Sequence, residues 1–412
     1  MNIHVITIGS EILVGHTTNT NLSFIGETLA DHGFSVLREV CIPDTREAIR
    51  TAVEHECRAA DVVITLGGLG PTRDDMTRQV VCETLGLDSE VRPEIEEEIS
   101  RYLRTRGVDV DARKVRVQAV VPEGATVFAN KNGTAPGLWC PVNDTVIIML
   151  PGPPRELEPM FVGDVVPRLE ALGCPDFAQR MIQVCGIPES VVAERVETLL
   201  GAKTTLDIAY CARPGMVDVR LSGRSGDDAA LGAAVERIRE HFGEAALRAD
   251  EDGVRGAVAN LLTRRGWSVA TAESCTGGGI GEHLTEQAGA SEYYAGGVIC
   301  YSNILKRKLL GVKAETLAEC GAVSAETAGE MLDGLLQRTG ADAGIAVTGI
   351  AGPGGGTPDK PVGLVFIATG VRGERSVERH VFPGTRQNVR ERTIFTGLNT
   401  LRLQLIRMRS KT

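Results

Sequence analysis

The class of fold is decided by one segment, Trp267-Ser268-Val269-Ala270-Thr271-Ala272-Glu273-Ser274-Cys275-Thr276-Gly277-Gly278-Gly279. Residues 267–271 have the apolar composition of a buried strand, and the glycines open a helix that we expect over about 277–288. A strand that runs directly into a helix is the repeating unit of a parallel α/β sheet. Ser274 at this turn lies beside the positive end of the helix, where backbone N–H groups stabilise a developing oxyanion. The segment therefore predicts an α/β domain with a candidate nucleophile.

A base must lie within hydrogen-bond reach of this serine, because an unassisted hydroxyl is a weak nucleophile. The segment 296–306 supplies a lysine as the more plausible base: Lys306 lies one helical turn beyond Ser302, and Tyr301 lies at the end of the predicted strand before it. A buried lysine loses its proton more easily than an exposed one and can then act as a base. His283 lies further along the helix and His380 in an edge-strand pattern, so neither is well placed.

Each of these residues also has an ordinary structural explanation. Ser274 alone is typical of a helix N-cap, and Lys306 alone is typical of a solvated side chain. Cys275 is a rival nucleophile. If the strand continues, however, Cys275 points to the opposite side from Ser274, which weakens its case.

A glycine-rich loop follows the predicted strand 343–347 and reads Val347-Thr348-Gly349-Ile350-Ala351-Gly352-Pro353-Gly354-Gly355-Gly356. Its glycines allow close backbone approach and form N–H-rich concavities that hold anions. The loop matches neither a Walker loop nor a dinucleotide fingerprint, and such loops are as often flexible turns. The candidate substrate-binding residues here are Thr348, Gly349, Gly352, Gly354, Gly355 and, at the start of the last helix, Arg386.

The N-terminal part alternates strands and helices, with strands at 2–8, 34–42 and 61–67 and helices at 19–32 and 45–59. This βαβαβ pattern predicts a parallel sheet, which binds ligands at the carboxyl ends of its strands.

One such end carries the loop Gly67-Gly68-Leu69-Gly70-Pro71-Thr72-Arg73-Asp74-Asp75-Met76-Thr77. Glycines admit a phosphate to the backbone, and paired carboxylates beside it can hold a divalent metal ion. Either aspartate alone is equally typical of a helix N-cap. The candidate phosphate-binding residues are Gly68, Gly70, Thr72 and Asn19, and the candidate metal ligands are Asp74, Asp75, Asp44 and Glu11.

Three domains are expected, at 1–172, 173–250 and 251–412. The middle one reads as a small α+β module of the KH-like class, with a turn at Arg213-Pro214-Gly215-Met216 between two strands. It lacks the G-x-x-G loop with which KH modules bind nucleic acid, so we interpret it as structural.

Charge and composition exclude several function classes. Lys and Arg number 44 against 54 Asp and Glu, and the net charge of −10 is the wrong sign for a broad nucleic-acid surface. We find neither an export signal nor an apolar run near the roughly 20 residues of a membrane helix, so a cytoplasmic protein is expected. The 10 cysteines include no C-x-x-C pair, which disfavours a zinc site.

The C-terminal motifs resemble a known family over residues 253–412: AESCTGG, GGVICYSNILKRKLLGV, GAVSAETAGEM, VTGIAGPGGG, DKPVG and FPGTR. They resemble the nicotinamide-nucleotide amidase domain of the competence/damage-inducible protein A family. The resemblance implies hydrolysis of nicotinamide mononucleotide to nicotinate mononucleotide and ammonia, without a cofactor. It also implies that Ser274 attacks, that Lys306 and Tyr301 assist proton transfer, and that the N–H groups of Thr276 and Gly277 hold the oxyanion.

The N-terminal motifs GSEIL, NTN, GGLGPTRDDMT, NKNGTAPG and MLPGPPREL resemble the molybdopterin-binding-like domain of the same family over residues 2–171. The resemblance implies a metal-dependent ADP-ribose pyrophosphatase and adds Thr134 to the binding residues. The fold alone does not choose between molybdopterin and ADP-ribose. We favour ADP-ribose, because the other domain would act on a second product of pyridine-nucleotide breakdown.

The sequence therefore predicts a homodimeric enzyme with two nucleotide substrates and a divalent metal ion in its first domain. Two other classes stay open. One is a non-enzymatic protein of competence or DNA damage, which the net charge disfavours, and the other is a molybdopterin-binding protein.

Overall fold

The computed structural model describes residues 1–109, 111–173, 176–248, 251 and 253–408, and these form two compact units, Met1–Ala178 and Gln179–Thr412. Both units are mixed α/β structures with their own hydrophobic cores. The predicted domain limits at 172/173 and 250/251 lie next to residues outside the described ones, and they stay predictions.

Among the residues that the structure describes, the first unit contains eight named strands and eight named α-helices. The strands are β1 (Ile3–Ile8), β2 (Val36–Ile42), β3 (Val62–Leu66), β4 (Ser89–Val91), β5 (Val120–Pro122), β6 (Thr126–Phe128), β7 (Gly137–Val142) and β8 (Thr145–Leu150). The helices are α1 (Ser10–Leu13), α2 (Thr20–Asp31), α3 (Arg46–Glu56), α4 (Thr77–Leu85), α5 (Pro93–Thr105), α6 (Ala112–Gln118), α7 (Pro154–Met160) and α8 (Val166–Leu172).

A six-stranded sheet with the order β2-β1-β3-β8-β7-β6 forms the centre of this unit. β1 pairs in parallel with β2 and β3, and β3 pairs in parallel with β8, as the βαβαβ pattern predicts. Every residue of β1 is buried, which is typical of a parallel strand covered on both faces. Because β2 and β3 lie on opposite sides of β1, a crevice is expected at the carboxyl ends of β1 and β3.

One strand of this sheet escapes the sequence pattern. The pattern indicates strands near 126–128 and 145–150 and a Gly/Pro-rich break at 132–137, whereas the structure adds β7 between them. β7 pairs antiparallel with both β6 and β8. It contains Pro141, which cannot donate a ladder hydrogen bond, so the composition of β7 does not resemble that of a strand inside a sheet.

The second unit also contains eight named strands and eight named α-helices. The strands are β9 (Ala178–Cys185), β10 (Asp207–Arg213), β11 (Met216–Gly223), β12 (Val269–Glu273), β13 (Tyr294–Ile299), β14 (Ala343–Gly349), β15 (Leu364–Val371) and β16 (Glu374–Val381). The helices are α9 (Glu189–Leu200), α10 (Asp228–Phe242), α11 (Gly253–Thr263), α12 (Gly279–Thr285), α13 (Asn303–Leu310), α14 (Ala314–Glu319), α15 (Ala325–Thr339) and α16 (Arg386–Arg407).

The second unit holds two sheets. A small one has the order β10-β11-β9, and its β10–β11 hairpin turns at Pro214-Gly215 as predicted. A larger one has the order β13-β12-β14-β15-β16, with β12 parallel to both of its neighbours. β12 spans Val269–Glu273 rather than the predicted 267–271, so the strand ends directly before Ser274.

The two parts of the second unit share one hydrophobic core. Cys185 of β9 and Met216 of β11 belong to the same buried cluster as Leu398 and Leu401 of α16. Arg402 of α16, 2% exposed, donates a hydrogen bond to the carbonyl of Glu244 at 2.6 Å. The middle module is therefore packed against the last helix.

The predicted α/β class with a small α+β module is confirmed by these sheets. Among the residues that the structure describes, no helix combines the length and apolar character needed to cross a bilayer.

One close packing contact gives a test of this fold. A Cβ atom added to Gly334 of α15 would lie 1.7 Å from the carbonyl oxygen of Leu310 at the end of α13. We expect Gly334→Ala to lower the free energy of unfolding by about 1–3 kcal/mol, since a backbone oxygen cannot rotate away. Gly232→Ala in α10 is the matched control, because nothing lies within 4 Å of the added atom. Chemical denaturation of both variants measures the difference, and equal stabilities would contradict the packing.

Candidate active site and nucleotide-binding loops

Ser274 is the first residue after β12, and it is 7% exposed. Its N–H donates to the carbonyl of Val347 in β14 at 3.1 Å, so its backbone is tied to the neighbouring strand. After it, Gly277 and Gly278 take positive φ values of 65° and 105°, a conformation that disfavours other residues. These two glycines let the chain turn sharply from the strand into α12.

Lys306 reaches this serine from α13. Its Nζ lies 2.9 Å from Ser274 Oγ, 2.8 Å from the carbonyl oxygen of Cys300 and 3.2 Å from that of Tyr301. The side chain is 1% exposed. The structure thus brings together the predicted nucleophile and the predicted base, 32 residues apart in sequence.

The surroundings of Lys306 favour the neutral amine. Burial lowers its pKa from the ordinary lysine range, and the thiols of Cys300 and Cys275 and the phenol of Tyr301 oppose that shift. A neutral amine has two N–H bonds and one lone pair. If the two carbonyl groups accept both hydrogens, the lone pair is left for the hydroxyl proton of Ser274.

Tyr301 lies differently from its predicted role. Its backbone carbonyl contacts Lys306, but its side chain is 62% exposed, and its Oη lies 3.4 Å from Nη2 of Arg386. Arg386 also donates to the carbonyl of Gly352 at 2.9 Å. The structure therefore joins Tyr301, Arg386 and the glycine-rich loop, and the part of Tyr301 in proton transfer stays a prediction.

The glycine-rich loop contains both structural and open positions. Thr348 is 1% exposed and donates to the carbonyl of Ala322 at 2.6 Å, while a Cβ on Gly349 would lie 2.7 Å from Val365. The Thr348 side chain and the Gly349 backbone are therefore both held by contacts within the protein. Gly354 has nothing within 4 Å of an added Cβ, and Gly355 has a φ of 86°. Gly352 is buried, and a Cβ on it would lie 2.6 Å from Val362, so the open side of the loop is formed by 353–355.

The sequence analysis missed Lys360, which anchors this loop. Lys360 Nζ donates to the carbonyls of Cys320 at 2.6 Å and Val323 at 2.8 Å. Its position after a Pro-Asp pair in the loop gave no signal of these contacts, which lie about 40 residues back along the chain.

The predicted oxyanion donors are not open N–H groups in this structure. Gly277 N–H donates to the carbonyl of Ser274 at 3.2 Å, and Thr276 is fully buried. Three further N–H groups at the start of α12, those of Gly278, Ile280 and Gly281, donate to the carboxylate of Glu273. The oxyanion role stays a prediction, and Glu273 is a residue that the sequence analysis passed over. An acidic residue just before a glycine-rich helix start was the available signal.

Cys275 is a poor alternative to Ser274. It is 5% exposed, and burial raises the pKa of its thiol to about 12, with Glu273 acting in the same direction. A thiol is a nucleophile only as the thiolate, so this environment keeps Cys275 unreactive near neutral pH.

In the first unit, Gly68 and Gly70 shape the loop after β3. Gly68 has a φ of 69°, and its carbonyl accepts from the N–H of Thr77 at 3.1 Å, so the loop leads directly into α4. A Cβ on Gly70 would lie 2.5 Å from the carboxylate of Asp75. Because neighbouring atoms of Thr77 and Asp75 lie so close to Gly68 and Gly70, neither position has room for a side chain.

Asp74 and Asp75 converge on one hydroxyl group. Thr72 Oγ1 lies 2.5 Å from Asp74 Oδ1 and 2.6 Å from Asp75 Oδ2, and the N–H of Thr72 donates to Asp75 at 2.9 Å. The hydrogen bond from Thr72 lowers the pKa of Asp74. A hydroxyl has one hydrogen to share, so the mutual repulsion of the two carboxylates is only partly relieved.

Asp44 and Glu11 form a second group at the ends of β1 and β2. Asp44 accepts from the N–H of Ser10 at 2.7 Å, and Glu11 folds over Gly9, where a Cβ would lie 2.8 Å from Oε1. Burial raises the pKa of the Cys41 thiol, and the charges of Glu39, Glu11 and Asp44 add to this. Among the residues that the structure describes, however, no three His, Cys, Asp or Glu side chains are arranged to hold a metal ion.

Asn19 and Thr134 have protein partners. Asn19 caps α2 by accepting from the N–H of Leu22 at 3.1 Å, and its amide donates to Thr7 at 3.1 Å. Thr134 accepts from Gln118 at 3.0 Å. Both side chains are therefore held in place, and their part in substrate binding stays a prediction.

These observations define an α/β protein of two units, one with a buried serine–lysine pair and one with a glycine-rich loop at a sheet switch point. Family models agree with this division. Residues 4–171 match a probable molybdopterin binding domain, residues 179–246 the KH domain of damage-inducible protein CinA, and residues 251–405 the CinA C-terminal domain.

Relatives match over nearly the whole chain. A CinA-like protein of Akkermansia muciniphila is 41% identical over 395 residues, covering 95% of this chain and 94% of its own. A CinA-like protein of Kosmotoga olearia is 36% identical over 410 residues, covering 98% and 99%. The crystal structure of competence damage-inducible protein A from Klebsiella pneumoniae is 40% identical and covers 37% of this chain and 95% of its own, with a TM-score of 0.36. The chain belongs to the CinA family.

Proposed function

We propose that the C-terminal part of the chain is an amidohydrolase that converts nicotinamide mononucleotide to nicotinate mononucleotide and ammonia. The observation that carries the proposal is the distance of 2.9 Å between Lys306 Nζ and Ser274 Oγ inside a buried site. A hydroxyl paired with a neutral amine is an activated nucleophile for acyl transfer. The family resemblance of the surrounding motifs supplies the substrate.

In this mechanism Lys306 takes the hydroxyl proton while Ser274 Oγ attacks the carboxamide carbon. The tetrahedral intermediate expels ammonia, which receives its proton from Lys306, and a serine ester remains. Water then attacks the ester with Lys306 again as base, and the acid product leaves with Ser274 restored. Positioned proton transfer of this kind typically contributes about 10²–10⁴-fold to the rate.

The phosphate of the nucleotide fits the side of the site that carries Arg386. Its guanidinium lies between the Gly352 carbonyl and the exposed Tyr301 side chain, where it remains open to solvent. Arginine binds phosphate through paired hydrogen bonds. We therefore assign Arg386 and the exposed part of the loop at 353–355 to the phosphate, and the ring face of Tyr301 to the substrate base.

For the first unit we propose metal-dependent hydrolysis of ADP-ribose at the loop after β3. The glycine-rich backbone at the switch point of the sheet favours a pyrophosphate. Asp74 and Asp75 are oxygen donors close to one another, and Mg²⁺-type sites combine one or two carboxylates with substrate phosphates. The pair fits such an ion; when bound, it would neutralise phosphate charge and activate water.

The nucleophile assignment can be tested by replacing the two neighbouring candidates. Ser274→Ala should abolish ammonia release from nicotinamide mononucleotide, because no other described hydroxyl contacts Lys306. Cys275→Ala should keep turnover within about threefold of the wild type, since its buried thiol is protonated. Ammonia release is the measurement, and cleavage of ADP-ribose by Ser274→Ala is the control for folding. If Cys275→Ala were inactive and Ser274→Ala active, Cys275 and not Ser274 would be the nucleophile.

The base assignment predicts a particular pH profile. kcat/KM should rise with pH as Lys306 loses its proton, with a midpoint below the ordinary lysine pKa of about 10.4, because burial disfavours the charged form. Lys306→Ala should lower kcat by roughly 10²-fold or more. Lys306→Arg should be no better, since a guanidinium stays protonated. An active arginine variant would mean that Lys306 acts through its charge.

The metal proposal predicts that Asp74→Asn and Asp75→Asn each lower ADP-ribose hydrolysis by about tenfold or more, while deamidation is unchanged. Each change removes one ligand charge. Asp144→Asn is the matched control, because this exposed aspartate precedes β8 at the opposite end of the strand. AMP release is measured with and without chelator, and divalent metal should restore the chelated wild type. Normal cleavage by both variants in chelator would contradict a metal site.

A further inference from the structure

The buried carboxylate of Glu273 lies next to the nucleophile and belongs to no step of the mechanism above. Glu273 is the last residue of β12, and it is 1% exposed. Burying a charged carboxylate costs free energy unless hydrogen bonds replace those it made to water. The hydrogen-bond partners of Glu273 therefore indicate its role.

Four donors surround this carboxylate. Oε2 accepts from the Thr276 hydroxyl at 2.7 Å and from the N–H groups of Gly278 and Ile280 at 3.0 Å each. Oε1 accepts from the N–H of Gly281 at 2.8 Å. The three N–H groups are those that the start of a helix leaves without a partner, so Glu273 occupies the positive end of α12.

This arrangement excludes two roles for Glu273. The four hydrogen bonds described for this carboxylate all go to residues 276–281 and none to Ser274 Oγ, whereas Lys306 Nζ lies 2.9 Å from that oxygen, so Glu273 is not placed as the general base. The start of α12 is also not available for the substrate phosphate, because the protein's own carboxylate already holds its N–H groups.

The position of Glu273 points to a role in geometry. Its backbone carbonyl accepts from the N–H of Cys300, the residue directly after β13, and the carbonyl of Cys300 in turn accepts from Lys306 Nζ. Its side chain spans the turn that carries Ser274, from β12 to the first turn of α12. The turn itself contains two glycines with positive φ, so its backbone has little stiffness of its own.

We propose that Glu273 is a positioning residue that fixes the 274–281 turn, so that Ser274 Oγ stays aligned with Lys306 Nζ. This inference rests on the proposed function of the serine–lysine pair. Catalytic groups must be held within roughly 0.5 Å of their working geometry, and here a buried carboxylate does what the glycine-containing backbone cannot.

The test compares Glu273→Gln with Glu282→Gln. The amide keeps the shape of Glu273 but presents an NH₂ group to N–H donors on one side, so part of the cluster is lost. Glu282 is exposed in the first turn of α12. Glu282→Gln is therefore the matched control, because it removes the same charge without disturbing the buried cluster. We expect Glu273→Gln to lower kcat by about tenfold or more with KM within about twofold, because Glu273 does not touch substrate. Glu282→Gln should match the wild type.

A second readout does not depend on the natural substrate. A fluorophosphonate probe reacts with activated serines, and its rate of labelling at Ser274 is followed by mass spectrometry, with Ser274→Ala as the blank. Glu273→Gln should label at least about fivefold more slowly than the wild type and Glu282→Gln equally fast. If the wild type labels but releases no ammonia, the amidase proposal fails while the positioning role is still tested.

Glu273→Asp covers the case in which the glutamine variant does not fold, judged by thermal unfolding. It keeps the charge on a shorter side chain, and folded protein with slower labelling supports the proposal. Wild-type kcat and wild-type labelling in a folded Glu273 variant overturn it. The proposal is also overturned if labelling falls only in proportion to the loss of folded protein. It is overturned as well if the probe does not label Ser274 in the wild type.

Discussion

The proton transfer proposed between Ser274 and Lys306 depends on the burial of the lysine, and the rest of the mechanism proposed for the C-terminal site depends on that transfer. An exposed lysine would hold its proton through the neutral pH range and could not accept another. Enclosure by α13 and β12 removes water, and the carbonyls of Cys300 and Tyr301 then direct the remaining hydrogens. The same enclosure keeps Cys275 as a thiol. One condition, burial, therefore favours Ser274 over Cys275 as the proposed nucleophile.

In the first unit the corresponding constraint is strand order. Because β1 lies between β2 and β3, the loops after β1 and β3 meet at one edge of the sheet, where a crevice is expected, although they are about 60 residues apart. The carboxylates that these loops carry remain in two groups, one on Thr72 and one on Ser10. In the function proposed for this unit, phosphate oxygens of the substrate would supply the metal ligands that the described side chains do not.

The sequence predicted those features whose cause is local. Strand and helix periods gave the βαβαβ order, and the motif around Ser274 placed the serine at a strand-to-helix turn. Contacts that join distant segments were predicted poorly. Lys360 anchors the glycine-rich loop through carbonyls about 40 residues away, and no local pattern announces them. The Thr348 hydroxyl likewise donates to Ala322, 26 residues back along the chain, and its part in substrate binding stays a prediction. The composition of β7 hid a strand, because the pairing of β7 is decided by β6 and β8.

The core shared by the middle module and the last helix sets a limit on how the chain can be divided. The end of β9 and the β10–β11 hairpin lie against α16, where a Cβ on Gly215 would be 3.0 Å from Phe395. Separating the middle module from the C-terminal domain would expose Cys185, Met216 and the apolar face of α16 to solvent. Exposed apolar surface of this kind promotes self-association. A fragment of this protein that begins near residue 179 keeps the middle module and α16 together, so this core stays buried.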